Sequence, residues 1–224
     1  MSLNQNSKSK TRLGVLLSGR GSNFKAIQKA IASGQLTQAE IALVVSNHPE
    51  AEGIAFAHSQ GFPTLTLEKQ QYENRIAFDQ ALTQALLDHQ VDLVILAGYD
   101  RILTASLLTA YAGRILNIHP SLLPAYGGKG MLGPKVHQAV LDNLESESGC
   151  SVHLVTEVVD GGAILGQSRV SLLPDDTAET LAARILEQEH ELYPRMIGEF
   201  IQQHFMNQAK TEIHHEPETL PAQA

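Results

Sequence analysis

Short apolar runs alternate along the chain with longer segments in which apolar residues recur every three or four positions. The first, second and fourth runs, LGVLL, IALVV and LVIL, are almost continuously apolar. A strand that is covered by helices on both faces of a parallel sheet has this composition. We therefore predict seven strands, over residues 13–17, 41–45, 63–67, 92–96, 114–118, 151–155 and 163–170.

The segments between these runs have the period of amphipathic helices; in the third, polar residues separate Phe78, Leu82 and Leu86. Helices are predicted over residues 22–33, 50–60, 71–89, 104–111, 134–144 and 177–204. We expect the last helix to begin near Asp176 and Glu179 and to bend at Pro194. This alternation predicts an α/β fold with a Rossmann-like, doubly wound, mostly parallel sheet in a single domain.

Composition narrows the class of protein. Both ends are polar and without apolar period, which predicts a disordered leader over residues 1–10, a domain over 11–207 and a flexible tail over 208–224. The 224 residues contain 16 Lys and Arg against 24 Asp and Glu, a net charge of −8, which argues against a nucleic-acid-binding face. Because signal-peptide and membrane-spanning patterns are absent, we expect a cytoplasmic protein that binds no membrane.

Single residues limit the chemistry further. Cys150 is the one cysteine, which excludes an internal disulfide, and we expect it to be a small buried residue. The ten histidines show no metal-binding spacing, so no metal is expected. His153 is predicted to be a hydrogen-bonded structural histidine near the site. We expect the acidic residues of the last helix, Glu187, Glu189 and Glu191, to form a solvated face.

The loop SGRGSN, residues 18–23, follows the first strand and opens the first helix. Its glycines allow a tight turn, and the N–H groups at the helix N-terminus favour an anion such as phosphate. A tight strand-to-helix turn with Ser22 as N-cap explains the same residues equally well. A dinucleotide is disfavoured, because Phe24 stands where the fingerprint needs glycine and no acidic residue ends the second strand.

The segment NIHPSLLP, residues 117–124, places two polar side chains at the end of a predicted strand. Asn117 and His119 are two positions apart and therefore project from the same face. An amide donor beside an imidazole can stabilise an oxyanion and move a proton. Taken alone, an Asn and a His at a strand end are more often structural.

These motifs together resemble the phosphoribosylglycinamide formyltransferases, folate-dependent enzymes of purine synthesis. The resemblance covers about residues 13–205 and consists of SGRGSN, VVSN, LAGYDRIL, NIHPSLLP, a Ser-Val-His strand, VVDGG and QEHELYP in that order. Several motifs in a fixed order are much more specific than one. The resemblance implies transfer of a formyl group from 10-formyltetrahydrofolate to the amine of N1-(5-phospho-D-ribosyl)glycinamide, in the α/β fold predicted above.

The resemblance also implies site residues. Asn117, His119 and Asp160 would be catalytic, with Asp160 as the electrostatic partner of His119; by itself, Asp160-Gly161-Gly162 is only a turn signal. The phosphate of the ribonucleotide would bind to Gly21, Ser22 and Asn23. The folate would contact Arg75, Asp100, Arg101, Ile102, Leu103, Asn117, Thr156, Glu157, Val158, Val159 and Asp160.

Two features depart from the family pattern. Asp100 stands where relatives often carry Met, so that folate contacts there are expected to differ. Residues 126–134, YGGKGMLGP, form a glycine-rich variant of a loop that is shorter in some relatives. We expect a mobile segment near the active site whose Lys129 reaches a substrate phosphate; a surface loop without contacts fits the sequence as well.

Three other functions stay open. Methionyl-tRNA formyltransferase and formyltetrahydrofolate hydrolase share the Asn, His and Asp arrangement, but this chain has neither the length nor the basic character for a tRNA-binding domain, nor room for a regulatory domain before residue 13. A phosphate-binding module without catalysis would need only SGRGSN. We expect small-molecule substrates, with a homodimer left open.

Overall fold

The computed structural model describes residues 10–206 and contains, within that range, seven strands and six α-helices. The strands are β1 (Thr11–Leu17), β2 (Ala39–Ser46), β3 (Thr64–Thr66), β4 (Leu93–Leu96), β5 (Ile115–His119), β6 (Glu147–Leu154) and β7 (Ile164–Ser171). The helices are α1 (Ser22–Ala32), α2 (Glu52–Ser59), α3 (Arg75–Asp88), α4 (Ala105–Ala110), α5 (Pro134–Asp142) and α6 (Ala178–Ile201). The predicted tail, and the predicted leader except Lys10, lie outside the described residues.

All seven strands join one sheet in the order β3-β2-β1-β4-β5-β6-β7. The first five strands in this order pair in parallel, whereas β6 pairs antiparallel with β5 and β7 pairs antiparallel with β6. The predicted mostly parallel α/β sheet is therefore confirmed. Because β1, β4 and β5 are neighbours, the loops after their carboxyl ends meet at one edge, where ligands of such sheets bind.

Helices cover both faces of the sheet, as the continuous apolar runs predict. On one face, Leu13, Val15 and Leu17 of β1 belong to a buried cluster that includes residues of α1 and α6. On the other face, Leu16 belongs to a second cluster with Phe78 and other residues of α3. Cys150 is fully buried in the first cluster, as expected.

Two predicted element starts are four residues off and one predicted helix cap is wrong, each for a local reason. The helix predicted from residue 71 begins at Arg75, because the Asn74 side chain accepts hydrogen bonds from the N–H groups of Ile76 and Ala77. The sixth strand begins four residues early, at Glu147, because it pairs with β7 over that whole length. The last helix is capped by Thr177 in a reciprocal capping box with Thr180 rather than by Asp176 and Glu179.

Candidate active site

A cavity of about 500 Å³ opens at the edge where β1, β4 and β5 end. The predicted site residues that line it are Ser22, Asn23, Asp100, Arg101, Ile102, Leu103, Asn117, His119, Lys129, Thr156, Val159 and Asp160. Gly21, Glu157 and Val158 are not among the lining residues. Arg75 lines a neighbouring cavity of about 480 Å³, which shares Asp100, Arg101 and Ile102 with the first.

The glycine loop turns at Gly21, whose φ of 68° lies in the left-handed region. A Cβ at this position would lie 2.7 Å from Gly53 Cα in the first turn of α2, so that only glycine fits between this loop and that helix. Gly21, not Ser22, occupies the N-cap position of α1, and no side chain caps the helix. The N–H groups of the first turn therefore have no acceptor within the helix. This geometry suits an anion.

Beside this loop lies a buried polar pair. Asn23 Nδ2 donates a 2.7 Å hydrogen bond to Glu189 Oε2, while Asn23 Oδ1 is buried without a partner in the described part of the chain. Burial raises the pKa of Glu189 to about 7, although the Asn23 hydrogen bond opposes the rise. The predicted solvated face is thus wrong for Glu189, which is 7% exposed; Glu187 and Glu191 are exposed.

The sequence held a signal for this buried carboxyl that the prediction missed. Ile185, Glu189 and Tyr193 follow one another at intervals of four residues, and such residues lie on one helix face. Ile185 and Tyr193 are fully buried, so Glu189 lies in the apolar stripe of α6.

Asn117, His119 and Asp160 come together in another part of the cavity lining. Asp160 Oδ2 lies 3.6 Å from His119 Nδ1, and Asp160 Oδ1 lies 3.5 Å from His153 Nε2. His153 Nδ1 donates to the carbonyl of Leu154 at 2.9 Å, and His153 Nε2 lies 3.1 Å from Asn117 Nδ2. His153 is thus a hydrogen-bonded histidine near the site, as predicted.

A backbone carbonyl determines which nitrogen of His119 carries the fixed proton. His119 Nε2 lies 2.9 Å from the carbonyl oxygen of Tyr126. Because a carbonyl oxygen can only accept, this nitrogen donates its N–H. Nδ1, which faces Asp160, is then the nitrogen that takes up or releases a proton.

Asp160 is ionised in this environment. Burial alone would raise its pKa, but the His153 ring, the Gly128 N–H at 2.9 Å and the His119 ring together hold the pKa below its ordinary value. A third histidine, His137, borders the same cavity and is 5% exposed. Burial and then the neighbouring His119 lower the pKa of His137.

Arg101 and Asp100, in the segment after β4, have different surroundings. The Arg101 guanidinium lies 3.9 Å from the centre of the Phe78 ring, and its Nε is buried with no partner within residues 10–206. Asp100 instead joins neighbouring loops: it accepts from Asn47 Nδ2 at 2.7 Å and pairs with His48 Nε2 at 2.9 Å. Arg75 Nη2 donates to the Leu103 carbonyl at 3.3 Å.

The chain is similar in sequence to a known protein family. A model of the formyl transferase family matches residues 11–197. The chain belongs to the formyl transferase family. No helix of this formyl transferase within residues 10–206 is long and apolar enough to cross a membrane. In the same range, no group of three or more His, Cys, Asp or Glu side chains is placed to hold a metal ion.

Named relatives resemble this formyl transferase over most of its length. It is 42% identical to the chloroplastic phosphoribosylglycinamide formyltransferase of Arabidopsis thaliana over 84% of this chain, and spans 64% of that relative's length. The phosphoribosylglycinamide formyltransferase of Haemophilus influenzae is 40% identical over 84% of this chain and 86% of its own. Glycinamide ribonucleotide transformylase 1 of Symbiobacterium toebii superposes with a TM-score of 0.80 at 41% identity, covering 84% of this chain and 86% of that one.

Proposed function

We propose that this formyl transferase moves the formyl group of 10-formyltetrahydrofolate to the amine of N1-(5-phospho-D-ribosyl)glycinamide, in de novo purine synthesis. The observation that carries the proposal is the convergence of Asn117, His119 and Asp160 on a cavity that is also lined by Ser22 and Asn23 at the open N-terminus of α1. The names of the relatives support the same reaction.

The ribonucleotide would bind at the Gly21 end. Free N–H groups at the start of α1 favour the phosphate, and Ser22 and Asn23 supply further hydrogen bonds. The buried Asn23–Glu189 pair borders the same end of the cavity and suits the hydroxyl groups of a ribose. The glycinamide amine would then lie toward His119.

The folate would occupy the side lined by residues 100–103 and 156–160. Apolar walls from Ile102, Leu103 and Val159 suit a flat heterocycle, and the buried Arg101 Nε without a partner among the described residues indicates a place for a polar ligand atom. Arg75, in the neighbouring cavity, would attract the carboxylates of the folate tail. Asp100 would act mainly by holding the loops after β1 and β2 in place.

Direct transfer requires no covalent enzyme intermediate. When bound, the folate supplies the formyl carbon that the amine attacks, which gives a tetrahedral oxyanion. The Asn117 amide would donate to that oxygen, and His119 would move, at Nδ1, the proton that the attacking amine loses to N10 of the folate. Collapse of the oxyanion then breaks the bond between the formyl carbon and N10, so that the deformylated folate leaves. The Asp160 carboxylate, 3.6 Å from Nδ1, places a negative charge beside the ring that would carry this proton.

Acceptor specificity tests the proposal. Purified protein is incubated with 10-formyltetrahydrofolate and, separately, with glycinamide ribonucleotide, charged initiator tRNA or water, and deformylation of the folate is followed. We expect the ribonucleotide to be formylated and the other two acceptors to give only background. Equal rates with and without ribonucleotide would support the hydrolase instead. Ribonucleotide binding without deformylation would support a phosphate-binding module. A cytoplasmic location and a homodimer stay predictions.

A further inference from the structure

The backbone that begins at Tyr126 contacts the His119–Asp160 pair, and the Tyr126 side chain anchors this backbone. Tyr126 lies at the start of the glycine-rich segment, and its carbonyl accepts the Nε2 proton of His119. Two residues later, the Gly128 N–H donates to Asp160 Oδ2 at 2.9 Å. The backbone of residues 126–128 therefore contacts both members of the His119–Asp160 pair.

This stretch of backbone needs support. Tyr126 has a φ of 55°, a left-handed conformation that non-glycine residues rarely adopt. At Gly127 a Cβ would lie 2.6 Å from Leu123 Cδ2 and 3.3 Å from Asp160 Cβ, so the chain passes Asp160 closely. Gly128 also has a positive φ, of 96°. Such a segment keeps its shape only where its surroundings hold it.

The Tyr126 side chain supplies the support. Its ring packs against the core cluster on the face of the sheet that α1 and α6 cover. Its hydroxyl donates a 2.7 Å hydrogen bond to Glu145 Oε1, three residues after the end of α5. The carboxylate of Glu145, through this bond, raises the pKa of Tyr126 to about 12, so the hydroxyl keeps its proton at every pH at which an assay is practical.

We propose that Tyr126 is a positioning residue of the active site: its ring and its bond to Glu145 hold residues 126–128 where they fix the proton on His119 Nε2 and bind the Asp160 carboxylate. The proposal rests on the proposed function for its kinetic consequence, but its structural core concerns only Tyr126, Gly128, His119 and Asp160. A substrate contact by Tyr126 is not needed.

The kinetic test compares variants of Tyr126 with a variant of its hydrogen-bond partner, Glu145. Tyr126→Ala should lower kcat by about 10- to 100-fold, since an ångström of displacement of catalytic groups costs about 10²-fold. The KM values for both substrates should change by less than about twofold. Tyr126→Phe keeps the ring and should lower kcat about threefold. Glu145→Ala should match Tyr126→Phe, and the double variant should add nothing, because both remove the same bond.

Conservative and matched variants separate positioning from stability. Glu145→Gln keeps an acceptor oxygen for Tyr126 and should restore kcat. Asp142→Ala removes the acidic residue at the end of α5, whose partner Gln138 is on the same helix. Tyr111→Phe removes a hydroxyl that has no partner among the described residues. Both control variants should keep wild-type kcat. If they lose as much as Tyr126→Phe, the proposal is wrong.

NMR of the histidine rings gives a readout that does not depend on formyl transfer. Long-range ¹H–¹⁵N spectra, assigned with His119→Gln, should show in the wild type a His119 Nε2 proton that exchanges slowly with water. In Tyr126→Ala this exchange should accelerate at least tenfold, and in Glu145→Gln it should stay slow. A slow Nε2 proton in Tyr126→Ala, or its absence in the wild type, would overturn the proposal. Failure of the acceptor assay alone would leave this spectrum intact and would count only against the proposed function.

Discussion

Two of the acidic side chains that line the cavity are Asp160 beside His119 and Glu189 beside Asn23, and we call these two parts of the lining the Asp160 end and the Glu189 end. Asp160 is half-buried beside two histidine rings and a backbone N–H, which hold its pKa below the ordinary value. Glu189 is buried and has one amide partner, Asn23, and burial raises its pKa to about 7. Depth of burial and the surrounding donors together decide whether each carboxyl group carries charge.

On the proposed function, this difference suits two tasks. There, the ionised Asp160 beside His119 supplies a fixed negative charge next to the ring that moves the proton. Glu189, whose pKa is about 7, can both donate and accept hydrogen bonds near neutral pH, which suits sugar hydroxyl groups. We therefore expect catalysis at the Asp160 end and substrate binding at the Glu189 end.

The largest effect is expected from Asp160→Asn, which keeps the shape of the side chain and removes its charge. We expect kcat to fall by about 10²–10³, a loss similar to that of an oxyanion-hole donor, while the KM for the ribonucleotide stays within about threefold. Steady-state kinetics with each substrate varied checks this. Asp175→Asn, the same change at an exposed site, is the control, and a comparable loss there would remove the assignment.

Glu189→Gln should change the dependence of stability on pH. The raised pKa means that the folded state holds a proton which the unfolded chain releases above about pH 4.5. The contribution of Glu189 to stability should thus be complete below that value and be lost as pH rises to about 7, by at most about 3 kcal/mol. Urea unfolding at pH 5 and pH 8 should show this fall in the wild type and a smaller one in the variant. Equal falls would mean that Glu189 is ionised throughout.

Gly21→Ala should separate backbone strain from binding. Alanine at a φ of 68° is strained, and its Cβ would press on Gly53, so stability should fall by about 2 kcal/mol. The KM for the ribonucleotide should rise about tenfold, equivalent to about 1.4 kcal/mol, and that for the folate should not. The control is Gly34→Ala, because Gly34 has a φ of 79° and a Cβ added there would meet open space. It should lose stability only, and a raised ribonucleotide KM there would contradict the assignment.

The smallest effect is expected at the start of the helix that carries Glu189. Thr177→Ala removes the capping box of α6 and should cost about 1 kcal/mol of stability. Since Thr177 is outside the cavity, kcat and both KM values should not change at 25 °C. Thermal unfolding measures the loss of stability. Altered kinetics would contradict the prediction, because they would show that the cap of α6 affects the active site.

The sequence pattern predicted the sheet better than the helix ends and the buried acid. Continuous apolar runs arise only when both faces are covered, so the strand runs identified the parallel sheet. Asn74 and Thr177 as caps were missed because a cap is chosen by local side-chain geometry among several candidates. The burial of Glu189 was not predicted, because with its acidic neighbours at 187 and 191 the segment has the pattern of a solvent-exposed face.

The contact between His119 and Asp160 could not be predicted from the sequence pattern alone. Residues 119 and 160 are far apart in the chain, and their contact depends on the pairing of β5 with β6, which the apolar pattern does not specify. The resemblance to a family predicted the pair, and the geometry is compatible with it. The Tyr126 carbonyl on His119 could not be predicted, because it follows from backbone geometry in a glycine-rich segment.

Single-turnover transfer with both substrates saturating tests the division between the two ends most directly. Wild type, Asp160→Asn and Glu189→Gln are mixed with 10-formyltetrahydrofolate and glycinamide ribonucleotide, and formylated ribonucleotide is quantified against time. Saturation removes differences in binding, so we expect Asp160→Asn to be slower by about 10²–10³ and Glu189→Gln to stay within about threefold of wild type. Equal losses in the two variants, or the reverse order, would contradict the assignment of catalysis to the Asp160 end.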